Sequence, residues 1–549
     1  MSTLHGPLAA TTTTAAGSPG LEKGQPSPPP TGSLESAVPS TLDEKRPEGC
    51  TNDDLSADAA QEIDGTTSAT SVEYPTGFKL ASIILALVLG IFLASLDMTI
   101  VATAIPKITD EFHGLDKVSW YSAAFFMTNG GFQSSWGKAY RYSPLKYTFL
   151  TSIAVFELGS LVCAVAPNST AFIVGRAING LRAAGIGTGA YTIIAFVAEP
   201  SKRATYTGFV GMSFGVACVV GPLIGGVFAD KVSWRWCFWI NLPVGGLSAL
   251  IILFFFQAPS AAKPVAATWK EKLLQMDPVG VGLVMGAIVT FMLALQYGGQ
   301  TAPWNSSLVI GLLVGFVLIT AAFIVWEYFQ GERAIVVPRL FGQRAIAISC
   351  GFACIFVGSY YLVIYYIPIY FQSVGNASPT MSGVYNLPLI IATTISMISS
   401  GMIISATGLA LLGGVGWGLA FQVPIIVGQA NADPQDISSV TAMVLFFQCI
   451  GGTAFVTAAQ AAFVNQIIQT LPTSAPNVDP ADVVSTGATM IRTVFPADQV
   501  PGIVVAYMAG IKVALGISIG GAGLGLLICL CSRWKRLNSE AVKDAVVAA

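Results

Sequence analysis

Two residues of opposite charge, Asp97 and Arg176, lie inside long apolar runs of this 549-residue chain. A charged side chain inside such a run is costly, so both residues should face protein or a wet cavity. Burial favours the neutral form of a carboxyl group, and a carboxyl that takes up and releases a proton there would carry protons. The alternative is a static ion pair that joins two helices.

The depth of the two charges along their helices favours contact. At about 1.5 Å per residue, Asp97 lies roughly 9 Å from the end of its run and Arg176 roughly 8 Å from the start of its own. The first run leads out of the membrane and the second leads back in, so both distances refer to the same boundary.

A third buried charge of interest is Glu157, about ten residues into another apolar run. Arg182 lies about eleven residues into the run that holds Arg176, counted from the opposite side. Because either charge alone would be costly at that depth, we expect Glu157 and Arg182 to form a pair. The alternative is a damaging or artefactual arginine at position 182. Glu157 is also a candidate for proton coupling.

Polar and aromatic side chains in other apolar runs are candidates for substrate binding. Tyrosine rings stack on planar hydrophobic compounds while their hydroxyls find polar partners. An aromatic belt at the membrane boundary is the alternative for the tyrosines. The candidates, which include two pairs at i, i+4 spacing, are Asn129, Gln133, Tyr361, Tyr365, Gln422 and Gln448.

The helices of the chain must position these residues. The amino-acid composition is that of a polytopic membrane protein. Hydrophobic residues make up 53% of the chain, charged residues 10%, and the mean hydropathy is +0.68. Globular chains carry about 25% charged residues. Apolar runs long enough to span a bilayer lie at about 80–104, 118–137, 147–166, 171–197, 204–228, 236–256, 278–297, 308–329, 345–371, 382–404, 409–428, 437–463 and 508–531.

The sequence contains no motif that predicts an enzyme or a cofactor. It has no Walker-type ATP-binding loop, so any transport would be driven by a gradient. Its two histidines and nine cysteines form no metal-ligand spacing. We therefore expect no metal, no cofactor and no nucleic-acid partner.

Basic residues in the loops predict the orientation. The first four loops on one side carry eleven Lys and Arg, against four in the first five loops on the other. The richer side, with the N-terminus, should be cytoplasmic. Residues 1–78 are acidic and rich in Pro, Ser and Thr, which predicts a disordered tail. The sequons at Asn168 and Asn305 then fall on outer loops as glycosylation candidates.

The fifth apolar run carries a series of glycines and one proline. Gly208 and Gly211 precede Gly215 at helical spacing, which leaves a stripe without side chains where another helix can approach. Pro222 removes the hydrogen bond to the Cys218 carbonyl and should bend the helix. The residues of this motif are Gly215, Gly221, Pro222, Gly225 and Gly226.

This stretch resembles the antiporter motif in helix 5 of the major facilitator superfamily. The segments at 234–236 and 241–243, Trp-Arg-Trp and Asn-Leu-Pro, resemble fungal fourteen-helix drug:proton antiporters, especially secondary-metabolite efflux pumps of the aflatoxin-cluster type. Residues 96–106 and 175–180 are similar to the helix 1 and helix 4 signatures. The resemblance implies an all-α fold with a six-helix bundle over 79–256, two linking helices over 257–344, a second bundle over 345–531 and a cytoplasmic tail over 532–549.

The resemblance implies a proton-coupled exporter of a hydrophobic small molecule, a fungal secondary metabolite or toxin. Its partners would be protons, the substrate and the lipid bilayer, and it would act as a monomer. The cell membrane is the expected location, with a vacuolar or vesicle membrane as the alternative. A siderophore, polyamine or broad drug transporter, working as importer or exporter, is the runner-up. A transport-dead membrane receptor is a different class.

Two positions depart from the pattern of the superfamily. Arg141 stands where the superfamily places an aspartate that helps to lock the inner gate, so that role is not transferred to it. Arg182 stands where relatives usually have glycine.

The count of spans predicts a missing helix near 408–411. Residues 382–404 resemble the tenth helix and 413–429 the twelfth, both running inward, yet only residues 405–408 separate them. Four residues cannot recross a bilayer about 30 Å thick. Thirteen spans would also leave the C-terminus outside, against the basic residues after the last span. We expect roughly thirty to forty residues to be absent through a splice form or an intron error. As printed, 409–428 should insert only partly, or the later helices should invert.

Overall fold

The computed structural model describes residues 74–112, 118–259, 262–377, 379–407, 420–486 and 490–531. Regular structure in these ranges is helical, and one isolated β-bridge joins Gly298 and Ala302 in a turn. The predicted all-α fold is confirmed. The predicted acidic tail, the C-terminal tail and residues 408–419 lie outside the described residues.

The helices of the first half are α1 (Gly77–Phe112), α2 (Val118–Tyr142), α3 (Leu145–Ala164), α4 (Ser169–Val197), α5 (Arg203–Lys231), α6 (Trp236–Trp239) and α7 (Asn241–Phe255). They are followed by α8 (Trp269–Gln275), α9 (Pro278–Tyr297), α10 (Ser307–Gln330) and α11 (Pro338–Phe341). The second half contains α12 (Arg344–Ser373), α13 (Pro379–Thr407), α14 (Val423–Ala430), α15 (Ile437–Ser474), α16 (Pro480–Ser485), α17 (Ile491–Val494) and α18 (Val500–Leu530).

Ten helical segments of the described chain are long and apolar enough to cross a membrane. α2 is not among them because polar residues such as Asn129, Gln133 and Lys138 interrupt its apolar surface. α13 contains only a shorter apolar stretch, Val384–Ser400. The chain is therefore a multi-pass membrane protein, as its composition predicts.

The first half packs around α4 and α1. α4 lies against α2 and α3, and α1 lies against α5 and α7. The large apolar side chains between these helices, including Phe149, Phe156 and Phe172, are fully buried. Burial of such rings stabilises the bundle interior, where the charged side chains of the sequence motifs must then find partners.

The second half is built on three long helices, α12, α15 and α18, which pack against one another. The Phe463 ring of α15 lies 5.4 Å from the Tyr366 ring of α12 and 5.7 Å from the Tyr507 ring of α18. Gly451 of α15 faces the backbone of α12, where a β-carbon would collide with the Cys354 carbonyl. The helices therefore approach more closely than larger residues would allow.

The halves are joined mainly by α5 with α13 and α2 with α15, and α4 also contacts α15. The helices α9 and α10 pack mainly against each other, and α9 also contacts α2 and α15. These two helices therefore lie beside the junction rather than within it.

α13 runs antiparallel to α5. A β-carbon on Gly215 of α5 would meet the Thr394 side chain, whereas one on Gly208 would meet the Met397 carbonyl. Later residues of α13 thus lie against earlier residues of α5, so α13 leads towards the end where α5 begins.

The short helix α14 runs in the same direction as α13. Gln422, just before α14, lies against Gly211 of α5. Gln429 at the other end donates through Nε2 to the Tyr191 carbonyl at 3.2 Å, close to the loop from α4 to α5. The described helix α14 has eight residues, and the residues from 408 to 419 before it lie outside the described ranges. The sequence predicts two consecutive helices that run in the same direction at this point of the chain.

The helices after α14 are not inverted. The Arg344 guanidinium at the start of α12 donates to the Cys531 carbonyl just after α18, at 2.6 Å from Nη2. The end of α18 therefore shares a side with the start of α12. The inversion expected as one consequence of a missing helix is therefore not seen, whereas most of 409–428, expected to insert only partly, lies outside the described residues.

Candidate functional site

The structure brings Asp97 of α1 and Arg176 of α4 together in a buried ion pair. Arg176 Nη1 lies 2.7 Å from Asp97 Oδ2, and the side chains are 1% and 0% exposed. Arg176 Nε also donates to the Tyr121 carbonyl at 3.0 Å, and Nη1 to the Asp97 carbonyl at 3.3 Å. The arginine therefore keeps two carbonyl acceptors that do not depend on the charge of the carboxylate.

Two asparagines complete the surroundings of the Asp97 carboxylate. Asn179 of α4 and Asn241 of α7 each donate through Nδ2 to Asp97 Oδ1, at 3.3 and 3.5 Å. Asn241 Nδ2 also lies 3.2 Å from Ser160 Oγ on α3. The carboxylate thus stands where α1, α3, α4 and α7 meet, with every named neighbour buried.

The Asp97 site offers hydrogen-bond donors and acceptors to a carboxyl group. The charged form is stabilised by the guanidinium and two amide N–H groups. The Oδ1 atoms of Asn179 and Asn241 are buried and have no hydrogen-bond partner. An amide oxygen is an acceptor, so a protonated carboxyl group could donate to one of them after a side-chain rotation. Both states of the carboxyl group therefore have partners within the same cluster.

The predicted pair of Glu157 and Arg182 is absent, which corrects the expectation from depth. The Arg182 guanidinium carbon lies 3.0 Å from the Phe156 ring centroid, and none of its nitrogens has a hydrogen-bond partner. Both Glu157 oxygens also lack partners, and this carboxylate lies against Gly245 of α7. Depth gives the level of a residue but not its rotation about the helix axis; Phe156 occupies the side of α3 that faces Arg182.

The two amides of α2 face different helices. Asn129 donates through Nδ2 to Cys449 Sγ of α15 at 3.6 Å, across the junction of the halves. Gln133 donates to Thr188 Oγ1 of α4 at 2.6 Å and is 2% exposed. Asn129 therefore stays a substrate-binding candidate, whereas the Gln133 amide nitrogen is already used within the first half.

The remaining candidates lie between α5, α12 and α15. The Tyr361 ring lies 6.4 Å from the Phe214 ring of α5 and covers Gly452 of α15. Tyr365, one turn later, is 39% exposed. Gln422 is 1% exposed with neither amide atom partnered, and Gln448 Nε2 is likewise without a partner. Unpartnered amides beside aromatic rings suit a ligand that is mostly apolar and carries few polar groups.

Arg141, for which no gating role was predicted, closes one end of the junction. Its Nη1 lies 2.9 Å from Asp436 Oδ1 at the start of α15. Arg339 of α11 binds the other carboxylate oxygen at 2.8 Å and also pairs with Glu332. The hydrogen bonds that Arg339 donates to Glu332 and Asp436 raise the pKa of its guanidinium above the ordinary value. Through Asp436, Arg141 fastens α2 and Arg339 fastens α11 to the start of α15, on the side predicted to be cytoplasmic.

A smaller clamp holds the opposite side of the first half. Trp234 Nε1 and Arg235 Nη1 donate to Glu111 at the end of α1, at 2.6 and 2.8 Å. Arg235 Nη2 also donates to the Ala166 carbonyl. Partial burial alone would raise the pKa of Glu111, but the hydrogen bonds from Trp234 and Arg235 together lower it. Glu111 therefore stays charged at a pH at which an ordinary glutamate begins to take up protons.

Two glycines of the α5 motif lie close to other helices, and a third, Gly226, has no close neighbour. Gly215 approaches Thr394 of α13, and Gly221 approaches Thr99 of α1, whose hydroxyl donates to the Ala217 carbonyl at 3.2 Å. Gly226 has no atom within 4 Å of the place where a β-carbon would stand. The Gly225 carbonyl lies 4.0 Å from Cys237 Sγ, and α5 continues as a helix through Pro222.

Replacing Gly208 with valine should lower export at least tenfold. Its β-carbon would stand 3.0 Å from the Met397 carbonyl and 3.3 Å from the Ile398 Cα, and backbone cannot move aside as a side chain does. Initial transport rates in vesicles measure the effect. The matched control is Gly226→Val on the same helix, which should transport normally. Equal rates for both variants would mean that the α5–α13 contact does not matter for transport.

The cluster residues that sequence reasoning missed are Tyr121, Ser160, Asn179 and Asn241. Asn179 follows Arg176 by three residues, so it shares a helix face with it and could have been found. Asn241 and Ser160 come from distant parts of the chain, and no local spacing joins them to Asp97. Within the described ranges, no group of three or more His, Cys, Asp or Glu could hold a metal ion.

Both predicted glycosylation sites are exposed and lie next to helix starts. Asn168 caps α4, with Oδ1 accepting a hydrogen bond from the Ala171 N–H at 2.9 Å. Asn305 precedes Ser306, which caps α10. Their use as glycosylation sites stays a prediction.

The sequence model described as Major Facilitator Superfamily matches residues 87–471. The chain is 52% identical over 503 residues to the MFS-type transporter grgE of Penicillium sp, with 85% of this chain and 89% of the relative covered. It is 48% identical over 508 residues to the probable efflux pump gsfJ of Penicillium aethiopicum, with 86% and 91% covered. It is 36% identical over 529 residues to the MFS-type efflux pump MFS1 of Trichophyton rubrum, with 88% and 99% covered.

These alignments are longer than the part of this chain that they cover. The grgE alignment has 503 positions, whereas 85% of 549 residues is about 467, which leaves about 36 positions without a residue of this chain. The gsfJ alignment has 508 positions against 86%, or about 472 residues, which again leaves about 36. The grgE and gsfJ relatives therefore each carry about 36 residues in total that this chain lacks inside the aligned region.

Proposed function

Because the chain belongs to the Major Facilitator Superfamily, we propose that it is a proton-coupled transporter that exports a hydrophobic small molecule, a fungal secondary metabolite or toxin. The observation that carries the proposal is the buried ion pair of Asp97 and Arg176, with amide partners for both protonation states of the carboxyl group. The names of similar proteins, among them efflux pumps, support the direction of transport.

Proton binding at Asp97 changes what holds α1 to α4. In the charged state the carboxylate binds Arg176 Nη1, and the pair is closed to solvent. A proton removes the ionic part of this contact, while the guanidinium keeps the Tyr121 and Asp97 carbonyls. The site then opens at lower cost, because a neutral carboxyl group and an arginine with acceptors are easier to separate than an ion pair.

The substrate would bind between α5, α12 and α15. Tyr361 and Phe214 offer aromatic faces, and Gln448 and Asn129 offer a small number of polar atoms. Such a surface suits a planar, mostly apolar compound better than a siderophore complex or a polyamine, which require many polar or acidic partners.

Orientation and location follow the same proposal. The N-terminus and the side closed by Arg141 and Asp436 would be cytoplasmic, and the protein would work as a monomer in the cell membrane. A vacuolar or vesicle membrane would keep the same orientation. Because the cytoplasmic side is closed, this conformation would correspond to a stage of the transport cycle in which the substrate site is no longer open to the cytoplasm.

Uptake into proteoliposomes with an acidic lumen tests the function. Copies with their cytoplasmic side outward should accumulate a neutral polycyclic phenol in exchange for lumenal protons, and collapse of the pH gradient should stop accumulation. A ferric siderophore and spermidine serve as rival substrates. The printed chain is assayed beside a form that carries the residues found in its relatives. If neither form moves any of these compounds in response to the gradient, the proposal fails, and a receptor role gains support.

A further inference from the structure

A cavity of about 550 Å³ lies between α9, α10 and α15, outside the helices that hold the Asp97 cluster. This volume is within the range of about 300–1,000 Å³ for small-molecule sites. Its wall is almost entirely apolar and strongly aromatic. The rings that line it include Phe291, Phe316, Phe323, Tyr328, Phe446 and Phe447.

Two polar groups on the wall of this cavity lack partners. Glu327 is 6% exposed; its Oε2 accepts from the Val336 N–H at 2.7 Å, but Oε1 has no hydrogen-bond partner. Thr320 Oγ1, two turns earlier on α10, is buried without a partner as well. A buried carboxylate oxygen without a donor costs free energy, and the aromatic wall supplies none.

A second carboxylate strengthens the need for a donor at this end of the cavity. Asp277 and Glu327 both lie against Gly280 at the start of α9. Asp277 Oδ1 accepts from the Gly280 N–H and from Trp326 Nε1, whereas Oδ2 has no partner. The nearby Lys138 ammonium donates to the Glu332 carbonyl at 2.8 Å. The two carboxylates therefore contact each other, and Glu327, the one that lines the cavity, has no cationic partner among the described ion pairs.

We propose that this cavity binds lipophilic amines, molecules with one protonated amino group on an apolar, preferably aromatic body. The ammonium would donate to Glu327 Oε1, and the body would lie among the phenylalanine rings, whose faces attract a cation. Ile324 and Tyr328 on its rim are 62% and 77% exposed on the surface that faces lipid. The amine would therefore enter from the bilayer, where such compounds concentrate.

Binding of a matched pair of fluorescent compounds to the purified full chain tests the proposal. Aminomethyl-anthracene carries the ammonium, and ethyl-anthracene replaces it with a methyl group of similar size. We expect the amine to bind at least tenfold more tightly than its neutral counterpart. Glu327→Gln should remove this advantage and leave the affinity for ethyl-anthracene unchanged. The matched control is Glu199→Gln, at an exposed glutamate distant in sequence from the residues of the cavity. It should change the affinity for neither compound.

A second variant tests whether the two compounds bind in this cavity. Ala287 of α9 lines the cavity and is 9% exposed, so Ala287→Phe should weaken binding of both compounds at least tenfold. Unchanged affinity in this variant would place binding elsewhere and overturn the proposal. Equal affinity of the two compounds for the unmodified chain would also overturn it, since Glu327 and Asp277 would then merely share a proton. The assay measures binding alone, so its failure would leave the proposed export function standing.

Discussion

Replacing Asp97 with asparagine is expected to abolish export driven by a pH gradient while the protein stays folded in the membrane. Asparagine has nearly the shape of aspartate, and its Oδ1 can still accept from Arg176 Nη1, which lies 2.7 Å from the present Oδ2. It cannot take up a proton, so the contact between α1 and α4 no longer changes with pH.

The expected effect is large because coupling is lost entirely. If one proton is exchanged per substrate, a gradient of one pH unit is worth about 1.4 kcal/mol and supports about tenfold accumulation. The Asp97→Asn variant should reach no accumulation. Substrate exchange across vesicles without a pH gradient should continue, because the substrate residues between α5, α12 and α15 are untouched.

Two measurements separate coupling from folding. Loss of the carboxylate leaves Arg176 as a buried cation without its counter-charge, which can destabilise a protein by about 3–5 kcal/mol. Arg176 keeps the Tyr121 carbonyl, so the variant should remain monodisperse in detergent, with a melting temperature that is checked directly. Glu111→Gln, which keeps an acceptor for Trp234 in the outer clamp, is the control and should export normally. Gradient-driven accumulation by Asp97→Asn at the unmodified level would make the ion pair purely structural.

Comparing how deep each charge lies along its helix predicted the contact of Asp97 with Arg176 but failed for Glu157 and Arg182. The rise along a helix is fixed, so the sequence gives the level of Asp97 and Arg176, and both also face the centre of one bundle. Glu157 and Arg182 share a level too, but Phe156 occupies the side of α3 that faces Arg182. Rotation about the axis depends on packing with several helices, and an apolar sequence with little amphipathic pattern does not encode it clearly.

Contacts between distant parts of the chain were the hardest to predict. Arg141 was recognised as unusual, yet its partner Asp436 lies in the second half and has no local signal. Asn241 reaches Asp97 only because α7 packs against α1. The glycine stripe of α5 did predict a close helix approach, since the absence of side chains is a local property that any partner helix can use. It did not identify α13 as that partner.

The full-length transcript is expected to encode about 36 residues between Thr407 and Ala420 that this chain lacks. The structure and the alignments with relatives each support this. α13 and the eight-residue α14 run in the same direction, which in a complete bundle requires a helix between them. The relatives carry about 36 aligned residues without counterpart here, enough for a spanning helix of about 20 residues and its loops.

The printed chain should therefore export at least a hundredfold more slowly than the completed form. Without an eleventh helix, the second half lacks one of the helix surfaces that would close around a substrate. Grafting the corresponding segment of the grgE transporter between Thr407 and Ala420 should restore transport. The matched control inserts a flexible Gly-Ser segment of equal length, which should not restore it.

A topology reporter after residue 531 gives an independent check. The end of α18 lies beside Arg344 at the start of α12, on the side predicted to be cytoplasmic, so the reporter should be cytoplasmic in both forms. Uninterrupted transcripts that encode only the printed chain, together with transport at the rate of the grafted form, would establish a working bundle without the eleventh helix. An external reporter in the printed chain alone would instead show that the membrane inverts the last helices, and that α14 crosses fully.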